Sequence, residues 1–270
     1  MIPKIIHYCW FGKGVMPQSQ QDCIKSWKKL MPDYKIMRWD EETFDYNKYL
    51  ASKFAYTTKK YALVSDVCRY NVLYEYGGIY LDTDVQAFSR FDEYLNADFF
   101  SAIELYNEFY TEGQHLLDAD GNPKEKGTEI PHLEMLTSTM GCVQGNVLIG
   151  ELRDYYNNIE ANEEYAVNYR KYVNNDRLVA KFATKYGFRY VDEKQLLKNN
   201  MVVYPTGVFG HIFCPNPDYK VTYHHNAASW SKDKTKHQLL IYNLDKLHLL
   251  KLYTKYKSFK QFFKRKMRKK

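Results

Sequence analysis

Apolar positions run together through Lys4-Ile5-Ile6-His7-Tyr8-Cys9-Trp10, stop at Phe11-Gly12-Lys13-Gly14, and return at helical spacing from Gln18 to Leu30. The first stretch reads as a buried strand and the second as an amphipathic helix. Pro32-Asp33 breaks that helix, and Tyr34–Trp39 follows as a second strand. Strand, helix and strand at this spacing predict a parallel α/β unit. Residues 56–76 form one long helical run that stops at Gly77-Gly78, a pair suited to the positive φ of a helix C-terminus. Ile79-Tyr80-Leu81 is then a short strand delivering Asp82-Thr83-Asp84. Further strands are expected at 98–103, near 201–204 and near 220–224, and helices near 150–160 and 174–186. Glu104–Pro131 has no clear period and reads as a long surface loop. A last helix, from about Lys236, carries Leu249, Leu252, Tyr256, Phe259 and Phe263 on one stripe. No internal repeat is visible.

Composition bounds this picture. A chain of 270 residues and 32.2 kDa with 45% hydrophobic residues has the material for one α/β body and a core without staples. The division expected is 1–235 as that body and 236–270 as a helix with a basic tail. Rings are abundant, with 26 Tyr, 15 Phe and 4 Trp, and tyrosine joins a flat apolar face to a hydroxyl, which suits sugar and base contacts. The net charge of +7 is concentrated: ten Lys or Arg and no acid fall in 251–270, leaving −3 on residues 1–250. A body without its own basic stripe argues against nucleic acid as a partner. Cys9, Cys23, Cys68, Cys142 and Cys214 are odd in number, scattered and not at zinc spacing, which fits reduced thiols in a cytosolic protein. The opening residues carry no signal-type apolar region, and no uncharged apolar stretch is long enough to span a membrane.

Asp82 and Asp84, two apart where a buried strand emerges, project to one side and can converge on a cation. Paired hard oxygens select Mg²⁺ or Mn²⁺ over zinc, and such an ion makes a diphosphate a better leaving group. Upstream, Asp66 and Arg69 stand at i, i+3 on one helical face. Together Ile5–Gly12, Ser65-Asp-x-x-Arg69 and Gly77-Gly78-Ile79-Tyr80-Leu81-Asp82-x-Asp84 resemble the sugar-binding D-x-D region of glycosyltransferase family 32, strongly over residues 2–90 and weakly near 220–230. That family includes bacterial capsule and lipopolysaccharide transferases and the yeast initiating mannosyltransferase, and it is distantly similar to clostridial glucosylating toxins. The resemblance implies a GT-A-like α/β fold, a single Rossmann-like domain with helical insertions. It also implies transfer of a hexosyl group from a nucleotide sugar, UDP-linked by preference, to a glycan in capsule, lipopolysaccharide or exopolysaccharide synthesis, with retention at the anomeric carbon.

Carried over residue by residue, Trp10 would stack on the base, Asp66 and Arg69 would bind the donor sugar or its ribose, Asp82 would touch both and the metal, and Asp84 would ligate Mn²⁺ or Mg²⁺ directly. His225, Asn226 and Ser229 would complete the metal shell or hold the diphosphate, with Trp230 covering it; Ala228 stands where the family often has Gly. Gln144 and Asn146, beside Gly145, are candidates for an amide near the anomeric carbon, or else turn residues. No carboxylate nucleophile can be chosen, so double displacement and front-face attack both stay open. The basic, aromatic tail suits an anionic membrane surface, which places the protein in the cytoplasm, peripheral on the inner face of the cell membrane, near a lipid-linked glycan acceptor. Two alternatives remain: a haloacid-dehalogenase-type phosphatase, which shares the apolar strand and D-x-D-x-Val but needs a later acidic motif, and a degenerate, membrane-associated adaptor.

Overall fold

The computed structural model describes residues 1–105, 110–211 and 221–226. Ser229, Trp230, Cys214 and the tail from 236 onward lie outside the described residues, so the expectations placed on them are not addressed by the fold.

In chain order the elements are β1 (Ile5–Cys9), α1 (Gln18–Leu30), β2 (Lys35–Trp39), α2 (Leu50–Thr57), α3 (Tyr61–Tyr76), β3 (Gly78–Leu81), β4 (Val85–Ala87), β5 (Phe99–Leu105) and α4 (Tyr110–Gln114). There follow β6 (Leu133–Met135), β7 (Thr139–Cys142), α5 (Val147–Asn157), α6 (Glu163–Asn168), α7 (Asn175–Ala183), β8 (Gln195–Leu197), β9 (Met201–Tyr204), β10 (Phe209–His211) and β11 (Thr222–His224). The main sheet has the order β2-β1-β3-β7-β5-β9-β8, with β6 paired to β5, and a small second sheet runs β10-β11-β4. β1 is parallel to β2 and β3, while β7 lies antiparallel to β3 and β5. The expected α/β body with a parallel opening unit is therefore met.

Burial follows the pattern of the chain. β3 and β7 are buried at every position, as strands covered on both faces must be. On one face α3 is buried nearly all round and joins α2, α5 and α7 in a single apolar cluster. On the other, α1 presents Ile24 and Trp27 to a second cluster containing Phe91, Phe100 and Phe209. Trp27 is fully buried and its indole Nε1 donates to the carbonyl of Val85 at 2.7 Å, tying α1 to β4 just beyond the D-x-D. Losing that side chain to alanine would cost about 3–5 kcal/mol.

Two expectations are corrected. The helical run 56–76 is two helices, because Lys59 takes a left-handed φ of 59° and turns the chain between α2 and α3. Within the stretch read as loop, β5 continues to Leu105, α4 forms, and Leu117 bridges to Pro123. Among the described residues no helix is long and apolar enough to cross a membrane.

Candidate functional site

Backbone geometry sets the site. Gly77 and Gly78 have φ of 62° and 101° and reverse the chain from α3 into β3. At Gly78 a Cβ would stand 2.8 Å from the carbonyl oxygen of Ile5 and 3.0 Å from His7 Nε2, so only glycine fits beside β1. From this turn, eight helical residues back to Arg69 climb about 12 Å, and four strand residues forward to Asp82 climb about 13 Å. The two side chains are therefore level. Arg69 Nη2 lies 3.2 Å from Oδ1 of Asp82 and 3.2 Å from Oδ1 of Asp66, while Nη1 donates to the carbonyl of Thr137 at 3.0 Å. The guanidinium also lies over the Tyr80 ring, 4.4 Å from its centre. Planar, always charged and buried at 5% exposure, it is the group that keeps two carboxylates in one place.

The D-x-D itself is pinned at both ends. Asp82 N donates to the carbonyl of Ser138 at 2.9 Å, and His225 N donates to the carbonyl of Asp84 at 3.0 Å. β11 lies antiparallel to β4 with His224 opposite Val85, which brings the His224 imidazole to Asp84, Nε2 3.2 Å from Oδ1. Asp82, Asp84 and His224 each offer a ligand atom within 4.8 Å of the others. Two carboxylate oxygens and one imidazole nitrogen make a mixed donor set that suits Mn²⁺ better than Mg²⁺, which prefers an all-oxygen shell. The residues present thus fit a divalent ion.

Here the sequence reading needs correction. His225, expected as a metal ligand, turns its Nε2 to Gln86 Oε1 at 3.1 Å and packs edge-on against Tyr223, while its neighbour His224 meets the carboxylates. Alternation along an extended strand sends adjacent side chains to opposite faces, so a His-His pair can offer one member and not both. Asn226 has a left-handed φ of 49°, and its Nδ2 is buried without a hydrogen-bond partner among the described residues.

Gln144 and Asn146 are placed elsewhere altogether. In the antiparallel pair of β3 and β7, Leu81 stands opposite Thr139 and Gly78 opposite Cys142, so residues beyond Cys142 lie at the far end of the sheet from Asp82. At strand rise Gln144 is roughly 15 Å along from the Thr139 end. Gln144 donates to the carbonyl of Glu75, and Asn146 caps α5 by accepting from Leu148 N and Ile149 N. The amides serve a turn and a helix N-terminus, and the catalytic expectation for them is withdrawn.

Trp10 lies at the same end of the sheet as Asp82. The register of β1 with β3 pairs His7 with Tyr80, and its continuation puts Trp10 level with Thr83. The ring is half-buried and its Nε1 donates to the carbonyl of Gly14 at 2.7 Å.

Sequence reasoning missed the far wall. α7 begins with Asn175, whose Nδ2 donates to Asp66 Oδ1 at 3.0 Å and whose Oδ1 accepts from the hydroxyls of Tyr70 and Tyr156. Next to it Asp176 Oδ1 accepts from Thr137 N at 3.0 Å and Thr137 Oγ1 at 2.6 Å. An Asn-Asn-Asp run at a helix start reads only as a cap in sequence, and Asn174 does cap α7.

Electrostatics follow from burial. Desolvation pushes the Asp66 carboxyl up to about 6, outweighing the Arg69 charge that works to lower it. Burial likewise raises Asp82 against the pull of Arg69. Burial works to lower His224, but the Asp84 charge and hydrogen bond overcome it and the imidazole is raised. Two crowded carboxylates with an imidazole nitrogen beside them form a site that can take a cation and, through it, an anion.

Residues 17–100 match the family model described as a glycosyltransferase sugar-binding region containing the DXD motif. Inositol phosphoceramide mannosyltransferase 3 of Schizosaccharomyces pombe is 35% identical over 101 residues, covering 35% of this chain and 28% of the relative. Subversion of eukaryotic traffic protein A of Legionella pneumophila is 26% identical over 125 residues, covering 36% of this chain and 19% of the relative. The matched stretch thus spans under a third of these relatives' length. Among solved structures, galactosyltransferase LgtC in complex with donor and acceptor sugar analogues overlaps at a TM-score of 0.41 and 11% identity, over 88% of this chain and 95% of that one, too loosely to bear on function.

Proposed function

We propose, for a chain whose residues 17–100 form a glycosyltransferase sugar-binding region with a D-x-D motif, that it transfers a hexosyl group from a nucleoside-diphosphate sugar to a hydroxyl of a glycan or lipid-linked acceptor. The observation that carries this reading is the meeting of Asp82, Asp84 and His224 within 4.8 Å, beside the Arg69 that holds Asp66 and Asp82. Those three residues would hold the divalent ion, Mn²⁺ by preference. When bound, such an ion neutralises the diphosphate and makes it a better leaving group.

The remaining work belongs to the side chains. Trp10 supplies a flat face for the nucleobase, a contact worth about 1–3 kcal/mol. Asp66, with its carboxyl at about 6, is ionised at neutral pH and accepts from sugar hydroxyls, while Asn175 fixes its orientation through the hydrogen bond at 3.0 Å. Arg69 holds Asp66 and Asp82 at fixed spacing, so the donor meets a preorganised wall and little reorganisation is needed as charge develops. Retention at the anomeric carbon is part of the reading through the family resemblance.

A UDP-linked hexose and a capsule, lipopolysaccharide or exopolysaccharide product are the choices the resemblance favours. Relatives named for mannose transfer to inositol phosphoceramide support a mannosyl donor and a lipid-linked acceptor as well. The basic tail fits an anionic membrane surface on the cytoplasmic side, where such an acceptor would be met.

The test is nucleotide release from UDP-glucose, UDP-galactose and GDP-mannose with Mn²⁺ present. Release from one donor, lost in Asp84→Ala, is the expected result. No release from any of the three, or equal release by the variant, would contradict the reading.

A further inference from the structure

Between the start of α6 and the start of α7 the chain carries a stacked, partly exposed aromatic pair. Tyr165 and Tyr172 stack with ring centres 5.2 Å apart and planes 10° from parallel. Tyr172 is 57% exposed, whereas Tyr165 rests against the main apolar cluster and has its backbone N–H held by Asn162 Oδ1 at 2.8 Å. One ring is thus backed by the core and by a helix start, and the other is offered to solvent on that backing.

The position of the pair is fixed by short chain segments. Tyr172 precedes Asn175 by three residues, and three residues span at most about 10 Å. Asn175 Nδ2 is bonded to Asp66 Oδ1 at 3.0 Å. Two residues before Tyr172, Arg170 Nε donates to the Tyr169 hydroxyl at 3.1 Å, and the Arg170 charge works against the burial that raises Asp66. Chain length therefore holds the Tyr172 backbone within about 10 Å of Asn175, the residue bonded to Asp66.

We propose that Tyr165 and Tyr172 form the acceptor platform of this site, binding a pyranose ring by its C–H face against Tyr172, with Arg170 at the polar edge. The inference rests on the transferase reading, under which the donor occupies the stretch from Trp10 to Asp66 and the next ring along belongs to the other substrate. Tyrosine has few rotatable bonds and a pre-stacked pair has little freedom left to lose, so a weak C–H contact is not spent on ordering the protein. A hydroxyl at the ring edge adds a hydrogen-bonding handle that phenylalanine lacks. A large exposed aromatic held rigid beside a polar cleft is what an alternating apolar and hydroxylated ligand requires.

Saturation-transfer NMR tests this on the full chain, with methyl α-mannopyranoside and methyl β-glucopyranoside as probes in the presence of diamagnetic Mg²⁺ and UDP or GDP. Transfer from aromatic protons to the pyranose C–H groups is expected for at least one probe, falling at least fivefold in Tyr172→Ala and retained in Tyr172→Trp. Because Tyr172 is exposed, the alanine variant is expected to keep the wild-type melting temperature and the wild-type thermal shift with nucleotide. No transfer to either probe, or equal transfer in Tyr172→Ala, overturns the platform. The nucleotide shift separates the two ideas: its absence in the wild type sinks the transferase reading, and its presence without sugar transfer sinks the platform alone.

Discussion

Asn175 and Asp66 are 109 residues apart in the chain and 3.0 Å apart in the structure, the amide Nδ2 donating to the carboxylate. The same amide oxygen accepts from Tyr70 and Tyr156, so a single side chain satisfies three buried groups drawn from two helices. Asn175→Ala leaves all three without that partner and should lower stability by about 1–3 kcal/mol. Urea unfolding of the two proteins measures it, and a loss well under 1 kcal/mol would show that water replaces the amide readily.

Asp66 gives the metal-free protein a pH dependence of defined sign. Its folded carboxyl titrates at about 6, above the unfolded value of about 3.9, so the native state keeps a proton that the unfolded chain has lost. The stability linked to this group is present below about pH 4 and is lost as pH rises to about 6. Relative to Asp66→Asn, the wild type should lose melting temperature across that window and run parallel above it. Curves parallel from pH 4 to 7 would place the titration elsewhere.

The two neighbouring histidines should behave differently. His224 faces Asp84 at 3.2 Å, and His225 faces Gln86 at 3.1 Å. His224→Ala is expected to raise the Mn²⁺ concentration needed for nucleotide-induced stabilisation about tenfold or more, while His225→Gln leaves it within about twofold. A titration of Mn²⁺ at fixed nucleotide reads both.

At Gly78 the constraint is steric. With φ at 101° and the Ile5 carbonyl 2.8 Å from any Cβ, Gly78→Ala should destabilise by about 1–3 kcal/mol and loosen the lead-in to Asp82. Equilibrium unfolding and Mn²⁺ affinity should fall together; a variant as stable as the wild type would mean that β1 and β3 separate at little cost.

What the chain disclosed in advance was local and periodic. The helix at Gln18–Leu30, the strand at Met201–Tyr204 and the glycine turn into the D-x-D were legible because each carries a clear period or a stop signal. The break at Lys59 was not, since a lysine in the left-handed region leaves no mark in composition. Three-residue strands such as β4, β6 and β8 are too short to show alternation. Trp10, Asp66, Arg69, Asp82 and Asp84 were named through the family resemblance; the structure joins Asp66 and Asp82 through Arg69 and sets Asp84 beside Asp82. Asn175, Asp176 and Thr137 were not, because their contacts with α3 and with one another exist only once the chain has folded across the sheet.

The central claim is a metal-dependent nucleotide site at Asp82, Asp84 and His224. Thermal stabilisation by UDP and by GDP, each with Mn²⁺ and again with EDTA, tests it most directly, because ligand binding raises stability by mass action with no acceptor required. A rise in melting temperature with one nucleotide that vanishes with EDTA and in Asp84→Ala is the result expected. A shift that persists without metal, or none with either nucleotide, would contradict the site.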